Sequence, residues 1–196
     1  MTSTLKVTTI EATTLKKGAS TTNATLNDNG TMTPGNSHHI TNSWNSSFKV
    51  GILNNDYATF SSYMDSSHAT SINTAIHLIN SRLVYISFYF YRNAHFGTWS
   101  NTYGWGIQLP SDIIPVGGTG YAYQSIHSNY FGMNGTNYYN TDPHRWQANQ
   151  NSSNENQNML VLYGSKATTN WSSGSFECAG NGVLALANDV TTAYGT

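Results

Sequence analysis

The stretch INSRLVYISFYFYRNAHFGTWSNTYGWGIQLPSDIIP, residues 79–115, is crowded with aromatic side chains and nearly free of charge. Within it, the even positions from 84 to 90 are aliphatic or phenylalanine, whereas the odd positions from 83 to 91 are mainly tyrosine. Successive side chains of a β-strand point to opposite faces. The pattern therefore predicts a strand whose even positions face a core and whose tyrosines lie on the other face.

The same alternation recurs along the chain, and no window longer than about ten residues has a helical stripe with capping signals. Further strands are predicted at 48–53, 74–79, 103–109, 120–127, 159–164, 174–179 and 182–187. Asn80 and Ser81 suit a tight turn, so 74–79 and 83–91 are expected to form a hairpin with His77 in mid-strand. Short strands separated by Gly, Pro and Asn predict an all-β, antiparallel β-sandwich.

Two regions differ from this pattern. Residues 1–43 are rich in Thr and contain the turn signals NDNG and TPGN, which indicates a neck or connector ahead of a head domain at 44–196. Residues 140–158, NTDPHRWQANQNSSNENQN, show no alternation and are rich in Asn and Gln. We expect a long surface loop or local disorder there.

Composition excludes several classes of function. Charged residues make up 9% of the chain, against a usual share of about 25%, and the net charge is −1. Such a chain has no positive field for nucleic acid. Its longest apolar run, nine residues, is far shorter than the ~20 of a membrane span, and the first residues lack the apolar segment of a secretory signal. The single cysteine, Cys178, is expected at a buried strand position.

The order of strand, glycine- and aromatic-rich turn, second strand and LPSDIIP in residues 79–115 resembles the C-terminal head domains of phage tail fibres and receptor-binding proteins. In that family a Leu-Pro-x-x-aliphatic-x-Pro connection follows such a hairpin, and Leu109, Pro110, Ile113 and Pro115 match it. Proline ends a strand because it cannot donate to the ladder. Ile113 and Ile114 are then expected to fix the connection to the core.

The resemblance covers about residues 44–196 and implies a jelly-roll-like head that forms a homotrimer about the fibre axis. It also implies a location in the virion, at the tail tip or baseplate, with other tail proteins bound through the N-terminus. The implied partner is a saccharide of the bacterial envelope, such as a cell-wall polysaccharide. The Asn-, Thr- and Tyr-rich composition is similar to that of phages that infect low-GC Gram-positive bacteria.

Saccharide sites combine flat aromatic rings with side chains that hydrogen-bond to hydroxyl groups. The densest such cluster is NYYNTDPHRWQ, residues 137–147, with the candidates Tyr138, Tyr139, Asp142, His144, Arg145, Trp146 and Gln147. Trp146 or Tyr139 can stack on a sugar ring, and Arg145 can hold a carboxylate or phosphodiester. Alternatively, Asp142 starts a turn, Trp146 fills an edge of the sandwich with Arg145 stacked on it, or the cluster forms a subunit contact.

A second candidate is HFGTWSNTYGW, residues 95–105, where Trp99 and Tyr103 are expected on an exposed tip loop and Trp105 in the core. His38 and His39 bind a metal ion only if the histidines of three chains meet around it. Neither a metal nor another cofactor is therefore predicted.

No enzyme is predicted either. A glycosidase needs two carboxylates, and most of the nine acidic residues lie in turn contexts, which leaves Glu177 as the one acid in apolar surroundings. The motifs of serine esterases, phosphate loops and zinc proteases are missing from the sequence. Two alternatives to a phage head stay open: a monomeric carbohydrate-binding module or adhesin, and a structural subunit of a virion or baseplate.

Overall fold

A computed structural model gives the structure of most of the chain. It describes residues 14–16, 22–26, 32–34, 39–40, 42–100, 104–117, 124–133, 136–137, 144–148, 158–164 and 171–190. The chain divides into two compact units, residues 1–37 and residues 38–194. In the first unit, β1 (Thr14–Lys16), β2 (Thr22–Leu26) and β3 (Met32–Pro34) form an antiparallel sheet in that order.

The second unit is built from one long antiparallel sheet. Its elements are β4 (His39–Ile40), α1 (Asn42–Ser47), β5 (Lys49–Leu53), β6 (Phe60–Asp65), a 3-10 helix (Ser66–His68), β7 (Ser71–Asn80), β8 (Leu83–Arg92), β9 (Trp105–Gln108), β10 (Ser125–Met133), β11 (Thr136–Asn137), β12 (Arg145–Ala148), β13 (Met159–Tyr163) and β14 (Phe176–Ala185). The strand order is β4-β7-β8-β14-β10-β12-β13-β9-β5-β6, with β11 paired to β10. The predicted all-β class is therefore confirmed.

The sheet curls so that its two ends pack against each other around a common core. Phe48, just before β5, stacks on Phe90 of β8 with ring centroids 5.6 Å apart. Trp105 of β9 stacks on Phe176 of β14 at 4.8 Å. These strands lie far apart in the strand order, so their rings meet only because the sheet folds back in a sandwich-like manner.

The hairpin of β7 and β8 forms as the sequence predicts. All four even positions of β8 from Val84 to Phe90 are buried, and the tyrosines of the odd positions lie half-buried on the outer face. β7 begins before the predicted residue 74, and His77 lies exposed in mid-strand opposite Tyr85. Alternation over ten residues thus identified both the strand and its core face.

The sequence predicted two separate C-terminal strands, at 174–179 and 182–187. That prediction is wrong, because the single strand β14 runs through both segments. The glycines taken as strand ends serve close packing instead. A Cβ on Gly180 would lie 2.7 Å from the Phe88 ring and 2.8 Å from that of Trp146. Glycine in a strand interior often marks such an approach.

The loop expected across 140–158 contains a strand, so that expectation is corrected in part. Residues 145–148 form β12, which pairs with β10 on one side and β13 on the other. Four residues are too few for a clear period-two signal, and pairing on both sides compensates for weak local propensity. Residues 149–157 lie outside the described part of the chain.

The second unit begins at His38, earlier than the boundary at residue 43 expected from composition. Strand β4 pairs with β7, and α1 carries Trp44, which is fully buried and donates its indole N–H to the carbonyl of Gln108. Thr74 of β7 donates its hydroxyl to the amide oxygen of Asn45. β4 and α1 thus contact strands toward both ends of the curled sheet.

The Leu-Pro connection has the architectural role expected of it. Leu109 and Ile113 are buried in the core, and the Ile113 N–H donates to the Pro110 carbonyl in a tight turn. Ile114, also expected to anchor the connection, is only half-buried and accepts a backbone hydrogen bond from Ala187.

Strand β6 was not predicted from the sequence. Met64 is its one buried side chain, so the strand has no alternating apolar pattern.

Candidate functional site

The candidate cluster at 137–147 is split by the fold. Trp146 is fully buried against Phe88 and Phe131, with ring centroids 5.5 and 6.3 Å away, and its indole N–H donates to the carbonyl of Ala179. A ring without exposed surface cannot stack on a sugar, so that role for Trp146 is corrected. The alternative, that Trp146 fills an edge of the sandwich, is right about a packing role, but β12 lies in the middle of the strand order and not at an edge.

The other predicted members of this cluster have different positions. His144 and Gln147 are buried, so they offer little to a ligand in solution. Arg145 is exposed and lies over the ring of Tyr163, 4.6 Å from its centroid, instead of stacking on Trp146. Tyr138, Tyr139 and Asp142 lie outside the described residues, so their candidate roles stay predictions.

The second candidate, at residues 95–105, is also largely internal. Trp99 is only 7% exposed and packs against Trp105 and Trp171, each at 5.4 Å. Backbone hydrogen bonds in both directions join Trp99 to Trp171, which explains why this tryptophan of a connection enters the core. The exposed tip position expected for Trp99 is thus wrong, whereas the core position of Trp105 is confirmed. Tyr103 lies outside the described residues.

The structure instead brings a different set of polar and aromatic side chains together. It lies on the outer face of the central strands, and we call it the tyrosine face. Its members are Tyr85, Tyr89 and Tyr91 of β8, Glu177, Ala179 and Asn181 of β14, His127 and Tyr130 of β10, Arg145 of β12 and Tyr163 of β13. All are half-buried or exposed.

The register of the sheet sets which of these side chains are neighbours. Tyr89 lies opposite Ala179, and Ala179 lies opposite Tyr130, so the two tyrosines flank a methyl group. With strands about 4.8 Å apart, their backbones are separated by roughly 10 Å. We call the strip of the outer face between these two tyrosines, with Ala179 in its middle, the trough.

Hydrogen-bonding groups border the trough at one end. The Glu177 carboxylate accepts a hydrogen bond from the Tyr89 hydroxyl, and Glu177 lies opposite Tyr91 in the register. Partial burial raises the pKa of the Tyr89 phenol, and the hydrogen bond to Glu177 raises it further. The phenol therefore stays protonated and orients its ring through this bond.

At the other end of the trough, a row of neutral and cationic groups crosses four strands. Asn181, His127, Arg145 and Tyr163 lie side by side in the register of β14, β10, β12 and β13, and we call this set the arginine row. The amide of Asn181 donates to the side-chain oxygen of Asn129 over 2.6 Å. Both ends of the trough thus offer donors and acceptors for hydroxyl groups.

The described part of the tyrosine face contains few groups that are typical of catalytic sites. Glu177 is the one carboxylate on the described strands of the tyrosine face. Most glycoside hydrolases use a pair of carboxylates. Among the described side chains, no three of His, Cys, Asp or Glu form a group that could hold a metal ion. In the same part of the chain, no helix is long and apolar enough to cross a membrane.

The sequence contained part of the signal for this site. The tyrosines at odd positions of β8 indicated an outer aromatic face, and Glu177 stood out among the acids. Tyr130, His127 and Asn181 were not identified, since their proximity depends on β10 pairing with β14. Searches for related proteins add no further signal, because no family model, curated protein or solved structure matches this chain.

Proposed function

We propose that this protein is the receptor-binding head of a phage tail fibre or baseplate and that it attaches the virion to saccharides of the bacterial envelope through the tyrosine face. The observation that carries the proposal is the trough between Tyr89 and Tyr130, with Glu177 at one end and Asn181 at the other. Aromatic rings cover the C–H faces of a sugar, and the carboxylate and amide bind its hydroxyl groups.

The scarcity of charge fits this ligand class. Charged residues are 9% of the chain, so its surface is dominated by amide and hydroxyl groups that match a polyhydroxylated ligand. A shallow site of this kind with a Kd near ~1 mM corresponds to only about −4 kcal/mol. A homotrimeric head displayed in many copies raises the effective affinity, by up to ~10⁴ for each linked pair that can engage together.

The proposal is tested by co-sedimenting the labelled protein with Gram-positive cells and by competing with their extracted wall polysaccharides. Tyr130→Ala and Tyr89→Ala remove the two rings of the trough. Tyr63→Ala is the matched control, because Tyr63 is an exposed tyrosine of β6 at the far end of the strand order. We expect strain-selective binding that one polysaccharide blocks, weakened about 5- to 10-fold by either trough variant, since a ring contact contributes about 1 kcal/mol.

A structural role in the virion is the second candidate, and one feature favours it. Ile79 and Val183 are about half exposed, and Val183 lies opposite Tyr85, so this end of the sheet surface has an apolar character typical of protein contacts. If no cell or polysaccharide binds while Val183→Asp prevents assembly of copies, the face is a subunit contact and the attachment proposal fails.

A further inference from the structure

The arginines differ in how the chain uses them. Arg82 forms an ion pair with Asp189 at 3.0 Å, and Arg92 donates to the backbone carbonyls of His68 and Ala94. For Arg145 the described residues provide neither a hydrogen bond nor an ion pair, and its contact is with the Tyr163 ring. Arg145 therefore keeps its donors for a group from outside this part of the chain.

The contact with Tyr163 holds the Arg145 guanidinium in a position to bind such a group. The ring covers one face of the guanidinium and restricts its motion, so less conformational freedom is lost when it binds. The N–H donors point along the edge of the guanidinium plane and remain accessible. Their fork geometry matches the paired oxygen atoms of a carboxylate or phosphate.

The neighbours of Arg145 extend the same chemistry. His127 is exposed directly opposite Arg145 and offers a ring donor. Asn181 follows on the next strand and offers a neutral amide. Glu177, the one carboxylate on the described outer faces of these strands, is four residues from Asn181 along β14, which is roughly 13 Å. Among the described residues, the row therefore carries the Arg145 cation and no carboxylate.

We propose that the arginine row is an anion subsite of the tyrosine face and that it takes a phosphate or carboxylate group carried by a saccharide. Arg145 binds two oxygen atoms of the anion, His127 donates a further hydrogen bond, and Asn181 binds an adjacent sugar hydroxyl. The inference rests on the proposed saccharide function and narrows its ligand class to acidic glycans.

The test uses NMR titration of the full ¹⁵N-labelled chain with three probes: glucose, glucose 6-phosphate and inorganic phosphate. We expect glucose 6-phosphate to bind at least about fivefold more tightly than glucose, because charge-assisted hydrogen bonds are roughly twice as strong as neutral ones. Both phosphate probes are expected to shift the backbone amides of His127, Arg145 and Asn181.

Arg145→Gln is expected to abolish the preference for glucose 6-phosphate over glucose, because it removes the charged donors that the phosphate needs. Arg145→Lys keeps the positive charge but loses the paired N–H donors of the guanidinium. We expect this variant to prefer glucose 6-phosphate over glucose less strongly than the natural sequence does. Arg82→Gln is the matched control, since it removes the same charge from an exposed arginine that already has its own acid partner.

The outcomes separate this inference from the proposed function. If glucose and glucose 6-phosphate bind the tyrosine face equally, or if Arg145→Gln and Arg82→Gln behave alike, the anion subsite is overturned while saccharide binding stands. If inorganic phosphate shifts the arginine row as strongly as glucose 6-phosphate and glucose shifts nothing, the row binds free anions only, and both the saccharide function and the acidic-glycan subsite are overturned. If no probe shifts either region, both are overturned.

Discussion

At the scale of single residues, Arg145 and Trp146 illustrate what sequence can and cannot specify. They are adjacent and chemically suited to one saccharide site, yet β12 sends one to solvent and the other to the core. Alternation guarantees that they separate, but which of them faces inward depends on the pairing of β12 with β10 and β13. That pairing joins segments far apart in the chain, and no local pattern encodes it.

The same two residues give a direct prediction for stability. Trp146→Ala removes a fully buried indole, and we expect the free energy of unfolding to fall by about 3–5 kcal/mol. Arg145→Ala removes an exposed side chain, and we expect a change within about 0.5 kcal/mol. Urea denaturation followed by tryptophan fluorescence measures both. Equal losses would contradict the opposite orientations of the two side chains.

A second prediction concerns the glycine inside β14. Gly180→Ala forces a methyl group between Phe88 and Trp146, so we expect a loss of about 1–3 kcal/mol in the free energy of unfolding. The adjacent change Ala179→Ser lies on the outer face, and we expect it to be tolerated within about 0.5 kcal/mol. Thermal unfolding by circular dichroism compares the two, and a neutral Gly180→Ala would show that this contact is not tight.

At the scale of elements, prediction succeeded where a strand is long and alternates without interruption. β8 meets that condition over ten residues, and its core face was read correctly. β14 is equally long, but Gly180 and Gly182 imitate the punctuation of a turn, although they serve packing against neighbouring strands. β12 and β6 have too little apolar alternation to be predicted from the sequence. Their place in the sheet is set by their pairing partners.

The 3-10 helix after β6 gives a prediction on pH. Asp65 precedes it and accepts hydrogen bonds from the Ser67 hydroxyl and backbone N–H and from His68, which lower the pKa of its carboxyl below 3.8. Because the folded pKa is depressed, this stabilisation is complete above about pH 4 and is lost as pH falls through the folded pKa.

Asp65→Ala is therefore expected to lower the free energy of unfolding by about 1 kcal/mol at pH 7, as for other capping residues. The difference from the natural sequence should shrink as the pH is lowered below 3.8. Urea denaturation of both proteins at pH 7 and pH 3 measures this. A difference that stays the same at both pH values would contradict the role of the ionised carboxylate.

At the scale of the whole molecule, composition indicated the type of surface and periodicity indicated the fold class, whereas the site needed the register. The low charge content predicted an uncharged surface, and the tyrosines of β8 predicted an outer aromatic face. The trough between Tyr89 and Tyr130 exists only because β14 lies between β8 and β10 and presents Ala179 between them. Neither relation is local, so both lie beyond sequence patterns.

The proposed phage head also makes a prediction about assembly. A homotrimer of this 21.5 kDa chain has a mass three times larger, and we expect multi-angle light scattering to detect that mass in solution. Dilution should leave it unchanged, because a fibre head acts as a permanent assembly. A stable monomer would favour the monomeric carbohydrate-binding module over the phage head.

Tyrosine ring NMR shows whether a saccharide binds to the tyrosine face. The chain is labelled with ¹³C in its tyrosine rings and titrated with the wall polysaccharide that blocks cell binding. We expect shifts in the ring signals of Tyr89 and Tyr130, smaller shifts in Tyr85 and Tyr91, and none in Tyr63 of β6. Shifts in Tyr63 with Tyr89 and Tyr130 unchanged would show that saccharide binds at another surface and not at the tyrosine face.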